Sequence, residues 1–166
     1  MSDSKSFSDF RIRFAQRGDV PLLLHFIRSL AEYEQMSDRV VATEPTLEKT
    51  LFDDRQAEVL IGEEGGFPVG FALFYPTYST FLGSANLFLE DLFIEPAFRH
   101  RGYGKAMLAE LAAIALQRGC RRIDWWCLEW NAPSIAFYRK IGALPVDEWR
   151  IFRLEGEAIR NLAEKP

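Results

Sequence analysis

The segment Arg99-His100-Arg101-Gly102-Tyr103-Gly104-Lys105 has the composition of an anion seat built from backbone. Upstream, Glu90-Asp91-Leu92-Phe93-Ile94 reads as a buried strand, and good helix formers follow Gly104, so the segment is a strand-to-helix loop. The first turn of a helix leaves N–H groups unpaired and carries partial positive charge, and glycines let an anion come close without Cβ obstruction. Arg99, Arg101 and Lys105 add fixed charge, the arginines as planar forks matched to phosphate oxygens. A pyrophosphate is the expected occupant. Taken by itself the spacing also allows a tight turn with basic residues in solvent. It is not a Gly-x-x-x-x-Gly-Lys-Ser/Thr loop, and Met107 stands where the third glycine of a dinucleotide fingerprint would fall.

Two further groupings could carry proton chemistry. Glu90 and Asp91 sit inside an apolar strand, where a charge is seldom placed without a partner. Being adjacent, they are expected on opposite faces of the sheet, with different jobs. Asn131 and Tyr138 are seven residues apart, close to two helical turns, which puts them on one face of a short helix. A phenol with an ordinary pKa near 10 keeps its proton at pH 7 and can act as a general acid. Tyr138 can equally pack its ring on the sheet, and Asn131, two residues before Pro133, can serve as a helix cap.

The elements that must position these residues follow from periodicity. Phe10, Ile12 and Phe14 alternate with Arg11 and Arg13 as a half-buried strand, and Asp19 with Pro21 opens a helix carrying Leu23, Phe26, Ile27, Leu30 and Ala31 on one stripe. A short helix is expected from Pro45 to Phe52. Strands at Ala57 to Gly62, Val69 to Tyr75 and Leu87 to Ile94, separated by glycine-containing turns, make an antiparallel meander. The helix after Gly104 turns Met107, Leu108, Leu111, Ile114 and Ala115 to the core. Arg122 to Leu128 is a strand, Pro133 to Lys140 a helix, Trp149 to Leu154 a final strand and Glu157 to Glu164 a helical tail. The class is α/β, with a mixed, mostly antiparallel sheet and helices on both faces.

A chain of 166 residues, 48% apolar and without a linker, suits one domain over residues 10–166 behind a disordered, polar tail at 1–9. A net charge of -4 argues against nucleic acid and suits a cationic substrate beside a local basic patch. Cys120 and Cys127 form no disulfide framework, His25 and His100 have no metal-ligand spacing, and no segment reads as a signal peptide or a membrane span. A cytoplasmic protein without a metal is expected.

Arg99-x-x-Gly102-x-Gly104 after a strand, with Asn131-x-x-Ser134-x-x-Phe137-Tyr138 downstream, resembles the acetyl-CoA-binding core of the GNAT superfamily of N-acetyltransferases. Leu89-Glu90-Asp91, Glu129-Trp130-Asn131 and Ala31-Glu32-Tyr33-Glu34 resemble the branch of the diamine (spermidine/spermine) acetyltransferases and their thialysine-acetylating relatives, and the likeness runs from about Arg11 to Leu162. The resemblance implies the GNAT fold, splayed at the cofactor site, and acetyl transfer from acetyl-CoA to the primary amine of a small cation, a diamine, thialysine or a lysine-like amino acid, by direct attack in a ternary complex. It implies that the backbone of Leu92, Phe93 and Ile94 binds the acetyl and pantetheine groups, that the 99–105 loop, Asn131 and Ser134 bind the cofactor, and that Tyr138 is the general acid. Glu90 would accept the amine's proton, and Tyr33, Glu34, Asp124, Trp125 and Trp126 would line the acceptor site.

Ser79 and Phe81 stand where the polyamine enzymes carry an acid and a tryptophan, so spermine is not the expected acceptor; Tyr78-Ser79-Thr80-Phe81 and the tail from Gly156 to Ala163 resemble the thialysine branch. A two-fold dimer covering Trp149 to Leu162 is also implied. Two rival readings remain: a protein lysine or N-terminal acetyltransferase, and a non-catalytic acyl-CoA binder.

Overall fold

A computed structural model describes residues 9–164, so all but Asp9 of the tail expected at 1–9 lies outside the described residues. Two compact units are present, the first running to Trp126 and the second starting at Cys127.

The first unit is a five-stranded sheet in the order β1-β2-β3-β4-β5. Its strands are β1 (Phe10–Phe14), β2 (Glu58–Glu64), β3 (Phe67–Ser79), β4 (Ser84–Ile94) and β5 (Ile123–Trp125). The first four are antiparallel, β2–β3 and β3–β4 as their short glycine turns require, and β5 returns parallel to β4 after a crossover helix. The helices are α1 (Val20–Tyr33), α2 (Glu44–Glu48), which continues as a wider turn over Lys49–Asp53, and α3 (Tyr103–Gln117). Asp19 starts α1 without a side-chain cap; its carboxylate instead takes the Arg13 guanidinium at 2.7 and 3.0 Å and the Gln16 N–H at 2.7 Å.

Helices lie on both faces of this sheet. Leu23, Phe26 and Val20 of α1 pack with Ile61, Phe71 and Phe93, whereas a Cβ on Gly62, the neighbour of Ile61, would touch Met107 of α3. Neighbouring strand residues face opposite sides, so α1 and α3 clamp the sheet between them. Gly70 permits the closest strand approach: a Cβ there would come within 2.4 Å of the Phe93 carbonyl oxygen.

The second unit holds α4 (Ala132–Lys140) and α5 (Glu157–Ala163). Gly142, at φ 94°, ends the chain's run out of α4. Trp149 to Leu154, expected as a strand, forms none. Alternating apolar residues specify a strand only where a neighbouring strand takes their N–H and C=O groups, and this segment has no strand partner among the described residues. Its side chains are left outside, Phe152 at 92% exposure. The strand expected at Arg122 to Leu128 is likewise shorter, only Ile123–Trp125.

Candidate active site

The 99–105 loop has the backbone of an anion seat. His100 and Gly102 both lie in the left-handed region, at φ 62° and 90°, and Gly102 caps α3 with no side-chain hydrogen bond. A Cβ at Gly102 would meet no atom within 4 Å, so the glycine is required by its φ and the space beside it is open. The first bond of the helical ladder runs from Ala106 N–H to the Gly102 carbonyl at 3.0 Å, which leaves the N–H groups of Tyr103, Gly104 and Lys105 ahead of it.

The side chains of the loop divide. His100 and Lys105 are exposed at its mouth. Arg101 reaches Glu64 at 3.0 Å and the Ala97 carbonyl at 3.2 Å, with its guanidinium over the Phe98 ring. Tyr103 is buried, stacked on Phe10 at 4.1 Å, and its hydroxyl donates to Glu64. Arg99 turns inward, with its Nε–H on the Ile94 carbonyl at 2.8 Å. As a candidate anion seat the loop therefore offers backbone more than arginine side chains. Gly104→Asp is expected to weaken acetyl-CoA binding by about tenfold or more, since it sets a carboxylate where the helix start attracts phosphate. Calorimetric titration of the folded variant checks this, and an unchanged affinity would move the pyrophosphate elsewhere.

Just before the loop, the outer edge of β4 opens. β5 pairs with Leu87, Phe88 and Leu89 and then stops, so Leu92, Phe93 and Ile94 pair with β3 alone within this sheet. The parting of β4 from β5 expected there is present.

Glu90 occupies a β-bulge. Leu73 faces Asp91 and Phe74 faces Leu89, so Glu90 has no opposite number on β3. The bulge overturns the expected placement of the two carboxylates on opposite faces. Asp91 pairs with Leu73 and Phe88 with Tyr75; Leu73 and Tyr75 share a face, so Asp91 and Phe88 share it too, although three positions apart. Glu90, between them, accepts a hydrogen bond on that face from the Tyr75 hydroxyl at 3.0 Å.

The two acids therefore act on each other. Burial, then the charges of Glu90 and Glu34, push the Asp91 carboxyl up to about 7. Burial also raises Glu34, which caps the end of α1. Tyr75 is pushed to about 12 by burial and by its bond to Glu90, so it stays a proton donor to that carboxylate. Glu34, Glu90 and Asp91 thus form an acidic corner, walled by aromatic rings: Tyr75 lies 5.4 Å from Phe88, and Phe88 meets Trp126 edge-on at 5.2 Å.

Of the other expected acceptor residues, Asp124 is held by Arg122 at 2.7 Å, Trp125 is half-buried and Trp126 is 56% exposed. Tyr33 lies under the Arg99 guanidinium, 4.8 Å from ring centre to Cζ. Tyr75 and Phe88 were not singled out by sequence; their signal was an aromatic pair placed in register by the β3–β4 hairpin.

In the second unit, Asn131 is the cap of α4, its side-chain oxygen accepting from the Ser134 N–H at 3.3 Å. Tyr138 is half-buried on the same helix, its ring 5.4 Å from Phe137. Among the described residues no group of His, Cys, Asp and Glu side chains is arranged to hold a metal ion, and no helix is long and apolar enough to cross a membrane.

A helix start with an open cradle, a stretch of β4 paired on one side only within its sheet, and a corner of three carboxyls, Asp91 the most buried of them, make up the candidate site. Residues 26–143 match the acetyltransferase (GNAT) family, and the chain belongs to it. It is an N-acetyltransferase. The chain is 39% identical to the thialysine N-epsilon-acetyltransferase of Sus scrofa, covering 93% of this chain and 97% of that one. It is 29% identical to an L-ornithine N5-acetyltransferase of Arabidopsis thaliana, over 92% and 87% of the two. Among solved structures, an integron cassette protein of V. cholerae superposes with a TM-score of 0.79 at 26% identity, covering 95% of this chain and 99% of that one. The family implies acetyl-CoA as co-substrate, and the open cradle at Gly102 and the free edge of β4 fit it.

Proposed function

We propose that the protein acetylates the side-chain amine of a small cationic amino acid of the lysine, ornithine or thialysine type. The acidic corner of Glu34, Glu90 and Asp91 carries this reading, because three carboxyls beside a strand edge select a cation. The likeness to thialysine and ornithine acetyltransferases supports the same substrate class. Acetyl-CoA, when bound, supplies an acyl carbon activated as a thioester.

The chain's residues supply the rest. N–H groups of Tyr103, Gly104 and Lys105 hold the pyrophosphate, with His100, Arg101 and Lys105 around it; Asn131 and Ser134 are cofactor-binding residues by their likeness to the family motif. Backbone N–H groups of Leu92 to Ile94 orient and polarise the acetyl carbonyl. Glu90, which accepts a hydrogen bond from the Tyr75 hydroxyl, draws in the ammonium and takes its proton, directly or through water. Tyr138 holds a proton on its hydroxyl for the departing thiol. Tyr33, Trp125 and Trp126 line the acceptor side.

Acetyl-CoA consumption across lysine, ornithine, thialysine, diamines, spermine and lysine-containing peptides tests the assignment. Turnover confined to the small amino acids is expected. Preference for peptides would favour a protein acetyltransferase, and acetyl-CoA binding without any accelerated release of CoA would identify a non-catalytic binder.

The cytoplasm as its place is in keeping with a sequence whose two cysteines, Cys120 and Cys127, are too few for a disulfide framework. A two-fold dimer is supported by the apolar side chains of Trp149, Ile151, Phe152, Leu154, Ile159 and Leu162, all exposed in the single chain. Light scattering is expected to give twice the 19.1 kDa chain mass, and deletion after Leu154 to weaken the association. A monomer at micromolar concentration would reject the dimer.

A further inference from the structure

Arg99 is the cation of the loop that the structure turns away from the anion seat. Its Nε–H is spent on the Ile94 carbonyl at 2.8 Å, and its guanidinium lies over two rings, Tyr33 at 4.8 Å and Phe93 at 5.5 Å. Tyr33 is the last residue of α1, and the next residue, Glu34, belongs to the acidic corner through its charge on Asp91. The chain then leaves the helix at once through Gln35, at φ 60°. Glu34 is thus carried on a helix end that the Arg99–Tyr33 stack ties to the 99–105 loop.

We propose that Arg99 is a positioning residue for the amine site, holding Tyr33 and with it Glu34 against Asp91, and is not a pyrophosphate ligand. The chemistry demands arginine. A planar guanidinium donates in its plane to a carbonyl while its faces meet aromatic rings, and a lysine ammonium can do only one of these at a time. Arg99 is half-buried, so the stack competes with less water than a fully exposed pair would. The loop that seats the cofactor and the helix end that supplies an acceptor carboxyl are thereby joined through one side chain. This inference rests on the acceptor site lying at Glu34, Glu90 and Asp91.

The test compares Arg99→Gln, Arg99→Lys and Tyr33→Leu by three readouts: acetyl-CoA affinity, KM for the amino acid that the substrate panel identifies, and hydrogen exchange of the backbone over residues 30–36. Each substitution is expected to raise the amine KM about fivefold and to leave acetyl-CoA affinity within about twofold. The double variant Arg99→Gln with Tyr33→Leu should be no worse than either single one, since both remove one contact. Arg99→Lys should fail to rescue, which separates a stacking fork from a point charge on phosphate. Exchange over 30–36 should quicken in all three.

A tenfold loss of acetyl-CoA affinity with the amine KM unmoved, or rescue by lysine, would overturn the proposal. Unchanged exchange over 30–36 would do so as well. Tyr33→Leu keeps the Arg99–Ile94 bond and decides the matter if the Arg99 variants do not fold. Should the wild-type protein acetylate no amine, the functional reading fails by itself, and the exchange measurement still judges the Arg99–Tyr33 clamp.

Discussion

Tyr138→Phe is expected to lower kcat by about a hundredfold or more while acetyl-CoA binding stays within about twofold. The substitution removes one oxygen and leaves the ring, so the half-buried packing beside Phe137 and the Asn131 cap of α4 are retained. On its proposed role, what is lost is a proton held for the departing thiolate. Because that need arises only as the bond to sulfur breaks, kcat and kcat/KM should fall together, with little change in either substrate's affinity. Steady-state kinetics at saturating amine and acetyl-CoA check it, alongside calorimetry for acetyl-CoA. A variant that turns over at near the wild-type rate would assign protonation of the thiol to another group or to water.

The parts of the site that sequence reveals are those specified locally. A glycine at φ 90° before fifteen helical residues is a property of Gly102 and its immediate neighbours, and so the anion seat is legible. The antiparallel meander follows in the same way from turn glycines and alternating apolar residues. Arg99 shows the limit. Its composition suggests phosphate, but its direction is set by the Ile94 carbonyl and by Tyr33 on a distant helix, and neither partner is marked in the loop.

The bulge at Glu90 is hidden for a related reason. Period-two reading assigns Glu90 and Asp91 to opposite faces, and only the register against Leu73 and Phe74 on β3 reveals the extra residue that brings both acids to one face. Trp149 to Leu154 fails in the opposite sense. The pattern of a strand is there, but a pattern without a pairing edge leaves the segment irregular and its side chains exposed.

The bulge has a measurable result in the pH dependence of amine binding. Asp91 carries a carboxyl raised to about 7, mostly by burial and further by Glu90 and Glu34, so it is neutral below that pH and charged above it. Its folded value lies above the ordinary one near 4, so its ionisation works against the fold as pH rises through 7, and a bound ammonium group offsets this by neutralising the corner. The amine KM of the wild-type enzyme should therefore fall as pH rises through about 7, and Asp91→Asn should abolish that inflection.

Glu90→Gln acts on the same corner twice. It deletes the proposed proton acceptor, which should lower kcat/KM by about a hundredfold at pH 7, where nearly all alkylamine is protonated and free amine is scarce. It also removes the negative neighbour that raises Asp91, so the inflection should move below 7 while the residual rate climbs more steeply with pH as free amine accumulates. Profiles of kcat/KM from pH 5.5 to 9 for the three proteins distinguish these effects. If Glu90→Gln and the wild type trace the same curve, Glu90 neither accepts the proton nor shares a face with Asp91, and the reading of the bulge as the centre of the acceptor site falls with it.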